Sequence, residues 1–69
     1  MKGLLWDLSK LFGNEDIIQC ECGFVTYKGR VISVDTKRLI VEWEDGDVES
    51  YSAGEHTSLI NLTRINNAF

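Results

Sequence analysis

Five carboxylates lie between residues 42 and 49 of this 69-residue chain, interrupted only by Trp43, Gly46 and Val48; they are Glu42, Glu44, Asp45, Asp47 and Glu49. So dense a group of acids can attract and orient a basic protein segment, which makes this stretch a candidate partner-binding surface. The alternative interpretation is a solvated face that keeps the protein soluble and prevents edge-to-edge aggregation.

The Asp45-Gly46 pair predicts a tight hairpin, since type I′ turns need positive φ at both central residues. A two-residue loop and a four-residue loop from Glu44 to Asp47 give the same register, in which Trp43 faces Val48 on the core side. The opposite face then carries three predicted pairs, Glu44 with Asp47, Glu42 with Glu49, and Ile40 with Tyr51. The preceding strand is expected to place Ser33 beside Ile40 and Val31 beside Glu42, so it offers no cation to neutralise the acids. The sequence therefore predicts an acidic ladder that ends at Tyr51.

Two cysteines and one histidine are the remaining candidates for metal or nucleophilic chemistry. Cys20 and Cys22 lie two residues apart, and His56 is the only histidine, whereas structural zinc usually takes four ligands, commonly with Cys-x-x-Cys spacing. We therefore expect no metal and no cofactor, and we expect both cysteines to be reduced, small core residues. A lone His56 without an oxyanion loop does not predict a nucleophilic enzyme.

The charge balance favours basic partners. Seven Lys and Arg stand against eleven Asp and Glu, giving a formal charge of −4 and a pI near 4.7, which opposes contact with phosphate backbones or anionic lipid. The alternative is a nucleic-acid-binding barrel that uses the one basic cluster, formed by Lys28, Arg30, Lys37 and Arg38. With no apolar run long enough to span a bilayer and no signal peptide, we expect a cytoplasmic protein without a membrane partner.

The chain length limits the architecture to one domain with a thin core. A chain of this size buries only about 60% of its unfolded surface, so a cleft that enclosed a substrate would use much of the interior. The small interior therefore favours a binding module over an enzyme.

An amphipathic helix is predicted over residues 4–12, where the apolar residues follow the helical period. Leu4, Leu8, Leu11 and Phe12 are expected to cover an open end or an edge of the remaining fold. Trp6 falls on the other side of the helix, which makes it a candidate contact residue. The helix could also pack against a second copy, so a homo-oligomeric structural subunit is a further hypothesis.

Five strands are predicted over residues 17–65, with a loose tail over 66–69. Gly23 is interpreted as a bulge or bend within the first strand, and the connector 52–57 has room for one helical turn. The predicted strands are Ile18–Tyr27, Arg30–Val34, Leu39–Glu44, Asp47–Tyr51 and Leu59–Ile65.

Two stretches resemble the Tudor, Agenet and KOW group of SH3-like barrels: Tyr27-Lys-Gly-Arg-Val-Ile-Ser-Val-Asp35 and Leu39-Ile-Val-Glu-Trp-Glu-Asp-Gly46. The likeness covers about residues 20–65. It implies a mainly β fold, in which a five-stranded SH3-like barrel follows the N-terminal helix in the sequence. It also raises an aromatic cage for a methylated cation, with Asp45 or Asp47 as the carboxylate; the available aromatics are Phe24, Tyr27, Trp43 and Tyr51. The alternative is a core Trp43, with Arg30 opposite it as an internal cation–π partner.

Together these patterns predict a small, non-catalytic binding module that recognises a basic protein or peptide segment through its acidic hairpin. Such a protein would suit an accessory or inhibitor role, for example a viral one, in which phosphate-like charge is presented to basic nucleic-acid machinery.

Overall fold

The computed structural model describes residues 7–67, which form one five-stranded antiparallel sheet with two short helices. The strand order is β4-β3-β2-β1-β5, and the hydrogen-bonded sheet is not closed. The expected mainly β fold with five strands is confirmed at this level. The elements are α1 (Leu8–Leu11), β1 (Ile17–Cys22), β2 (Val25–Val34), β3 (Arg38–Trp43), β4 (Val48–Ser52), a 3-10 helix (Glu55–Ser58), β5 (Leu59–Asn61) and α2 (Leu62–Asn67).

A tight hairpin joins β1 to β2, where the sequence predicted one continuous strand. Cys22 pairs with Val25, so that Gly23 and Phe24 form the turn. Gly23 adopts a φ of 64°, a conformation that glycine reaches without steric cost. The interpretation of Gly23 as a bulge or bend within one continuous strand is therefore wrong, because the chain reverses direction at this glycine.

The long strand β2 pairs with β1 through its first part and with β3 through its second. A bulge lies between Val31 and Ser33, and it allows both Val31 and Val34 to face the core although they are three residues apart. A bulge of this kind bends the strand that contains it.

Glycine is required where β2 meets Trp43. Gly29 lies opposite Trp43, and a Cβ at this position would stand 2.5 Å from the Glu42 carbonyl oxygen and 2.8 Å from Cε3 of the indole. Arg30 pairs with Glu42 instead. The predicted placement of Arg30 opposite Trp43 is therefore wrong, as is the expectation that the acids lack a neighbouring cation.

The β3–β4 hairpin has a three-residue loop, Glu44 to Gly46. Trp43 N–H donates to the Asp47 carbonyl over 2.7 Å, Gly46 N–H donates to the Trp43 carbonyl over 2.9 Å, and Gly46 has a φ of 95°. A type I turn followed by a left-handed glycine is the usual three-residue solution. The predicted loop of two or four residues is wrong, and the strand register differs from the predicted one by one residue.

This shift moves every side chain of β4 to the other face. Glu42 now lies opposite Val48, and Glu49 lies opposite Val41. Tyr51 lies opposite Leu39 rather than Ile40. The predicted ladder of directly opposed acids does not form.

The core contains buried residues from the strands and from α1. Leu8 and Phe12 are buried, whereas Leu11 is 40% exposed, so the prediction that Leu11 docks is wrong. The predictions for Leu4 and Trp6 lie outside the described residues. The buried apolar side chains are Leu8, Phe12, Ile18, Val31, Leu39, Val41, Trp43 and Leu59.

Hydrogen bonds and an ion pair connect α1 to α2, at the place where the sequence predicted the end of the last strand. The Asp16 carboxylate accepts from Gly13 N (2.8 Å) and Asn61 Nδ2 (2.9 Å), and it lies 3.5 Å from Arg64 Nε. Arg64 Nη1 in turn donates to the Lys10 carbonyl over 2.8 Å. The strand predicted over 59–65 is therefore wrong beyond Asn61, where α2 begins.

The C-terminal part of the chain is more helical than predicted. The predicted tail overlaps α2, which continues through Asn67, and residues 68 and 69 lie outside the described part. The helical turn allowed for in the connector is confirmed as the 3-10 helix. No helix within residues 7–67 has the length and apolar character needed to cross a membrane.

Candidate functional site

A cleft of about 320 Å³ opens between the β1–β2 hairpin and the loop of the β3–β4 hairpin. We call it the carboxylate cleft. Its lining combines acids, aromatic rings and both thiols: Cys20, Cys22, Tyr27, Trp43, Asp45, Asp47, Glu49 and Tyr51.

Glu49 lies at the centre of the polar contacts in this cleft. Its Oε1 atom accepts from Trp43 Nε1 over 3.1 Å and from the Tyr51 hydroxyl over 2.7 Å. The pKa of Tyr51 is raised to about 12, mainly because the phenol is buried and secondly because of this hydrogen bond to Glu49. Two donors thus fix one carboxylate oxygen, and the second oxygen, which has no hydrogen-bond donor within residues 7–67, can accept from a ligand.

The strand register divides the five acids between two faces. Asp45, Asp47 and Glu49 line the carboxylate cleft. Glu42 and Glu44 line a wider depression of about 480 Å³ on the opposite side, which we call the outer depression. The candidate surface therefore has three acids on one side, rather than the predicted ladder of Glu42, Glu44, Asp47 and Glu49.

The outer depression is charge-balanced. Arg30 donates to Glu15 over 2.9 Å and to Glu42 over 3.0 Å. Lys28 also lines this depression. The contact with Glu15, and to a smaller extent that with Glu42, raises the pKa of Arg30.

Three of the four candidate cage aromatics meet in the carboxylate cleft. Trp43 is 8% exposed, Tyr27 is 45% exposed, and Tyr51 is half-buried. Phe24 is fully exposed at the β1–β2 turn and does not line the cleft. The expected core position of Trp43 is confirmed, but the same side chain also borders the cleft.

The predicted register placed Tyr51 on the face opposite to Trp43, which argued against a shared cage. That placement is wrong because the loop has three residues, whereas the predicted register required two or four. With the observed register, Trp43 and Tyr51 both donate to Glu49.

The cysteines and His56 occupy different environments. Cys20 and Cys22 are free thiols; Cys20 is half-buried, but Cys22 is exposed, so its assignment to the core is wrong. His56 is buried, and its Nδ1 accepts from Gly54 N–H. Its ring packs edge-on against the Phe12 ring, with the two ring centroids 6.1 Å apart. Within residues 7–67, no three His, Cys, Asp or Glu side chains are grouped so as to hold a metal.

Two of the four candidate nucleic-acid contacts have side-chain partners within the described part of the chain. Arg30 is held by two carboxylates, and Arg38 Nη1 donates to Ser50 Oγ over 3.0 Å. Lys37 lies in the β2–β3 turn, where its backbone N–H donates to Asp35. That hydrogen bond, with a similar one from Arg38, lowers the pKa of Asp35.

Sequence reasoning missed that the thiols share a cleft with the acids. Cys20 and Cys22 alternate with Gln19 and Glu21, which placed them on one face of β1, but only the β1–β2 turn brings that face beside Tyr27. The signal that could have revealed this turn is the glycine at position 23. Trp6, a predicted contact residue, lies outside the described residues.

Comparison of the chain with protein-family models, curated proteins and solved structures finds no match.

Proposed function

We propose that this chain is a non-catalytic binding module that holds a cationic side chain of a basic protein segment in the carboxylate cleft. The observation that carries the proposal is the Glu49 carboxylate, fixed by Trp43 and Tyr51 in a cleft that Asp45 and Asp47 also line. A carboxylate already held by two donors loses little conformational freedom when it binds a cation.

The exposure of the acids supports ion pairing rather than proton transfer. Asp45, Asp47 and Glu49 are all exposed, whereas catalytic carboxyl groups are typically desolvated by an enclosing site. Exposed ion pairs contribute only about 0.2–1 kcal/mol each. Useful affinity therefore requires several cations on one segment, as in a basic peptide.

The aromatic rings support a preference for a diffuse cation. Tyr27 and Tyr51 present ring surface beside the acids, and a cation over such a ring gains about 0.5–2 kcal/mol, depending on how far it is desolvated. A methylated lysine is more easily desolvated than a free ammonium. We therefore expect a trimethyllysine peptide to bind more tightly than its unmodified form.

We infer that the scaffold is an SH3-like barrel that stays open between β4 and β5. The strand order, the bulged β2 shared between two neighbours, and the 3-10 helix that follows β4 support this architecture. It agrees with the resemblance of residues 27–46 to the Tudor, Agenet and KOW group. An accessory or inhibitor protein that competes with phosphate for basic machinery would use such a cleft.

Two matched pairs of charge-neutralising substitutions test the proposed site. The probe is the hexapeptide Lys-Arg-Lys-Arg-Lys-Arg, titrated calorimetrically at low ionic strength. Asp47→Asn with Glu49→Gln should weaken binding about fivefold, since two exposed ion pairs together contribute about 1 kcal/mol. Glu42→Gln with Glu44→Gln removes the same charge from the outer depression and should change the affinity by less than about twofold.

Equal weakening by both pairs would contradict the proposal, because it would show an unspecific response to net charge. Binding of single-stranded RNA that is lost on Lys28→Gln with Lys37→Gln would support the nucleic-acid-binding alternative instead. Added salt should weaken the peptide complex, as expected for exposed charges.

A further inference from the structure

Strand β4 is an edge of the sheet, with β3 as its only strand neighbour among the described residues. The hydrogen bond from Trp43 N–H to the Asp47 carbonyl shows which backbone groups of β4 point towards β3. In an antiparallel ladder, hydrogen-bonded and non-hydrogen-bonded pairs alternate. Glu49 and Tyr51 therefore bond to β3, whereas Val48 and Ser50 direct their N–H and C=O groups away from the sheet.

The outward row has defined ends. Asp47 N–H donates to Asp45 Oδ1 over 3.0 Å, and Ser52 N–H donates to Glu55 Oε1 over 2.8 Å. Between these two bonds, Val48 and Ser50 offer two donors and two acceptors that have no backbone partner within residues 7–67. Such a row is a template for one further short strand.

We propose that the basic protein segment binds as an antiparallel strand added to β4, so that backbone hydrogen bonds to Val48 and Ser50 direct its cations into the carboxylate cleft. This proposal rests on the proposed function and specifies the form of the partner. Addition of an extended peptide to an exposed sheet edge is a common recognition mode, in which alternate side chains supply the specificity.

The two faces of β4 specify the sequence of the added strand. Asp47, Glu49 and Tyr51 project towards the cleft, whereas Val48 lies on the other face and is 54% exposed. Side chains directly opposite each other on neighbouring strands interact, and unlike charges stabilise the pair. The complementary segment therefore has cations at alternate positions, with a β-branched residue between them to pack on Val48.

Charge also argues against a second copy of the chain as the occupant. Antiparallel pairing of two β4 strands centred on Glu49 would place the two Glu49 carboxylates directly opposite each other. Like charges in that position are destabilising. The acids thus disfavour self-pairing at the same edge that they make attractive to a basic strand.

The test uses the peptide acetyl-Thr-Lys-Val-Arg-Thr-amide. When lysine lies opposite Glu49 and arginine opposite Asp47, the amides of the first threonine and the valine point at β4, and those of lysine and arginine point away. N-methylation of the first pair should weaken binding about tenfold or more, because two hydrogen bonds are lost. N-methylation of the second pair is the matched control and should change the affinity by less than about threefold.

Variants of the protein provide the reciprocal test. Ser50→Pro removes one outward N–H without removing a bond to β3, and it should weaken binding about threefold or more, because one hydrogen bond is lost. Ser50→Ala keeps that N–H and should bind as the parent does. Saturation with the unmodified peptide should slow hydrogen exchange of the Val48 and Ser50 amides about tenfold or more.

The outcomes separate this proposal from the proposed function. If both N-methylated peptides bind equally well and the Val48 and Ser50 amides stay unprotected, strand addition is overturned while the carboxylate cleft can still bind cations. If the unmodified peptide does not bind at low ionic strength, both proposals are overturned.

Discussion

At the scale of single residues, Glu49 determines what the cleft can do. One of its oxygens joins an indole from β3 to a phenol on β4, so three side chains are fixed relative to one another before any ligand arrives. This arrangement depends on the strand register, since Trp43 and Tyr51 reach the same oxygen only when both face inwards.

The raised pKa of Tyr51 is a direct test of this contact. In a Tyr27→Phe background, Tyr51 is the only tyrosine, and its phenolate absorbance should titrate near pH 12. Glu49→Gln removes the negative charge that opposes ionisation, so the pKa should fall while staying above 10, because burial is the larger cause.

The sign of the associated stability change follows from linkage. The folded-state pKa lies above the unfolded value, so the neutral hydroxyl contributes stability that is complete below pH 10 and is lost as the pH rises towards 12. If Tyr51 had the same pKa with and without Glu49→Gln in the Tyr27→Phe background, the contact with Glu49 would be contradicted.

At the scale of elements, α1 is attached by one buried face and by polar contacts at its C-terminal end. Leu8 is fully buried, and its N–H donates to the Thr36 carbonyl over 3.1 Å. Asn61 Nδ2 donates to the Leu11 carbonyl over 3.0 Å. A helix of four residues has little stability of its own, so these tertiary contacts must hold it in place.

Leu8→Ala should therefore lower the free energy of unfolding by about 2–5 kcal/mol, as expected for a large-to-small change in a core. Leu11→Ala, one helical turn later and 40% exposed, is the matched control and should cost less than about 1 kcal/mol. Urea denaturation followed by circular dichroism measures both. A larger loss for the Leu11 variant would contradict the observed orientation of α1.

The elements also show which parts of the fold sequence patterns can predict. The β3 pattern, with apolar residues alternating from Leu39 to Trp43, correctly predicted a strand with those side chains inwards. The loop that follows was ambiguous, because Asp45-Gly46 fits both a two-residue turn and a three-residue turn that ends in a left-handed glycine. The choice between them shifts β4 by one residue, so a correct strand prediction still gave the wrong face.

The helix prediction was wrong at Leu11 for a different reason. Leu11 fits the apolar stripe of a nine-residue helix, but α1 ends at Leu11 and the chain then turns towards Asp16. Asp16 lies 45 residues before Asn61 in the sequence, so the contacts of its carboxylate with Asn61 and Arg64 have no local signal.

At the scale of the whole molecule, the uneven distribution of charge matters more than the net charge of −4. The outer depression pairs its acids with Arg30, whereas no described cation forms an ion pair with the acids of the carboxylate cleft. A cationic ligand should therefore approach the cleft side. In a chain with so thin a core, a surface cleft of this kind also preserves the interior needed for stability.

The most direct test of cation binding in the carboxylate cleft is a two-dimensional ¹H–¹⁵N NMR titration of the parent protein with the Lys-Arg-Lys-Arg-Lys-Arg peptide. We expect the largest chemical-shift changes at the Trp43 indole N–H and at the backbone amides of Cys20, Asp47 and Glu49, with little change at Arg30 and Lys37. Addition of the peptide as a strand would also shift the amides of Val48 and Ser50. Shifts that centre on Arg30 and Glu42 instead, with an unchanged Trp43 indole signal, would contradict the proposed site.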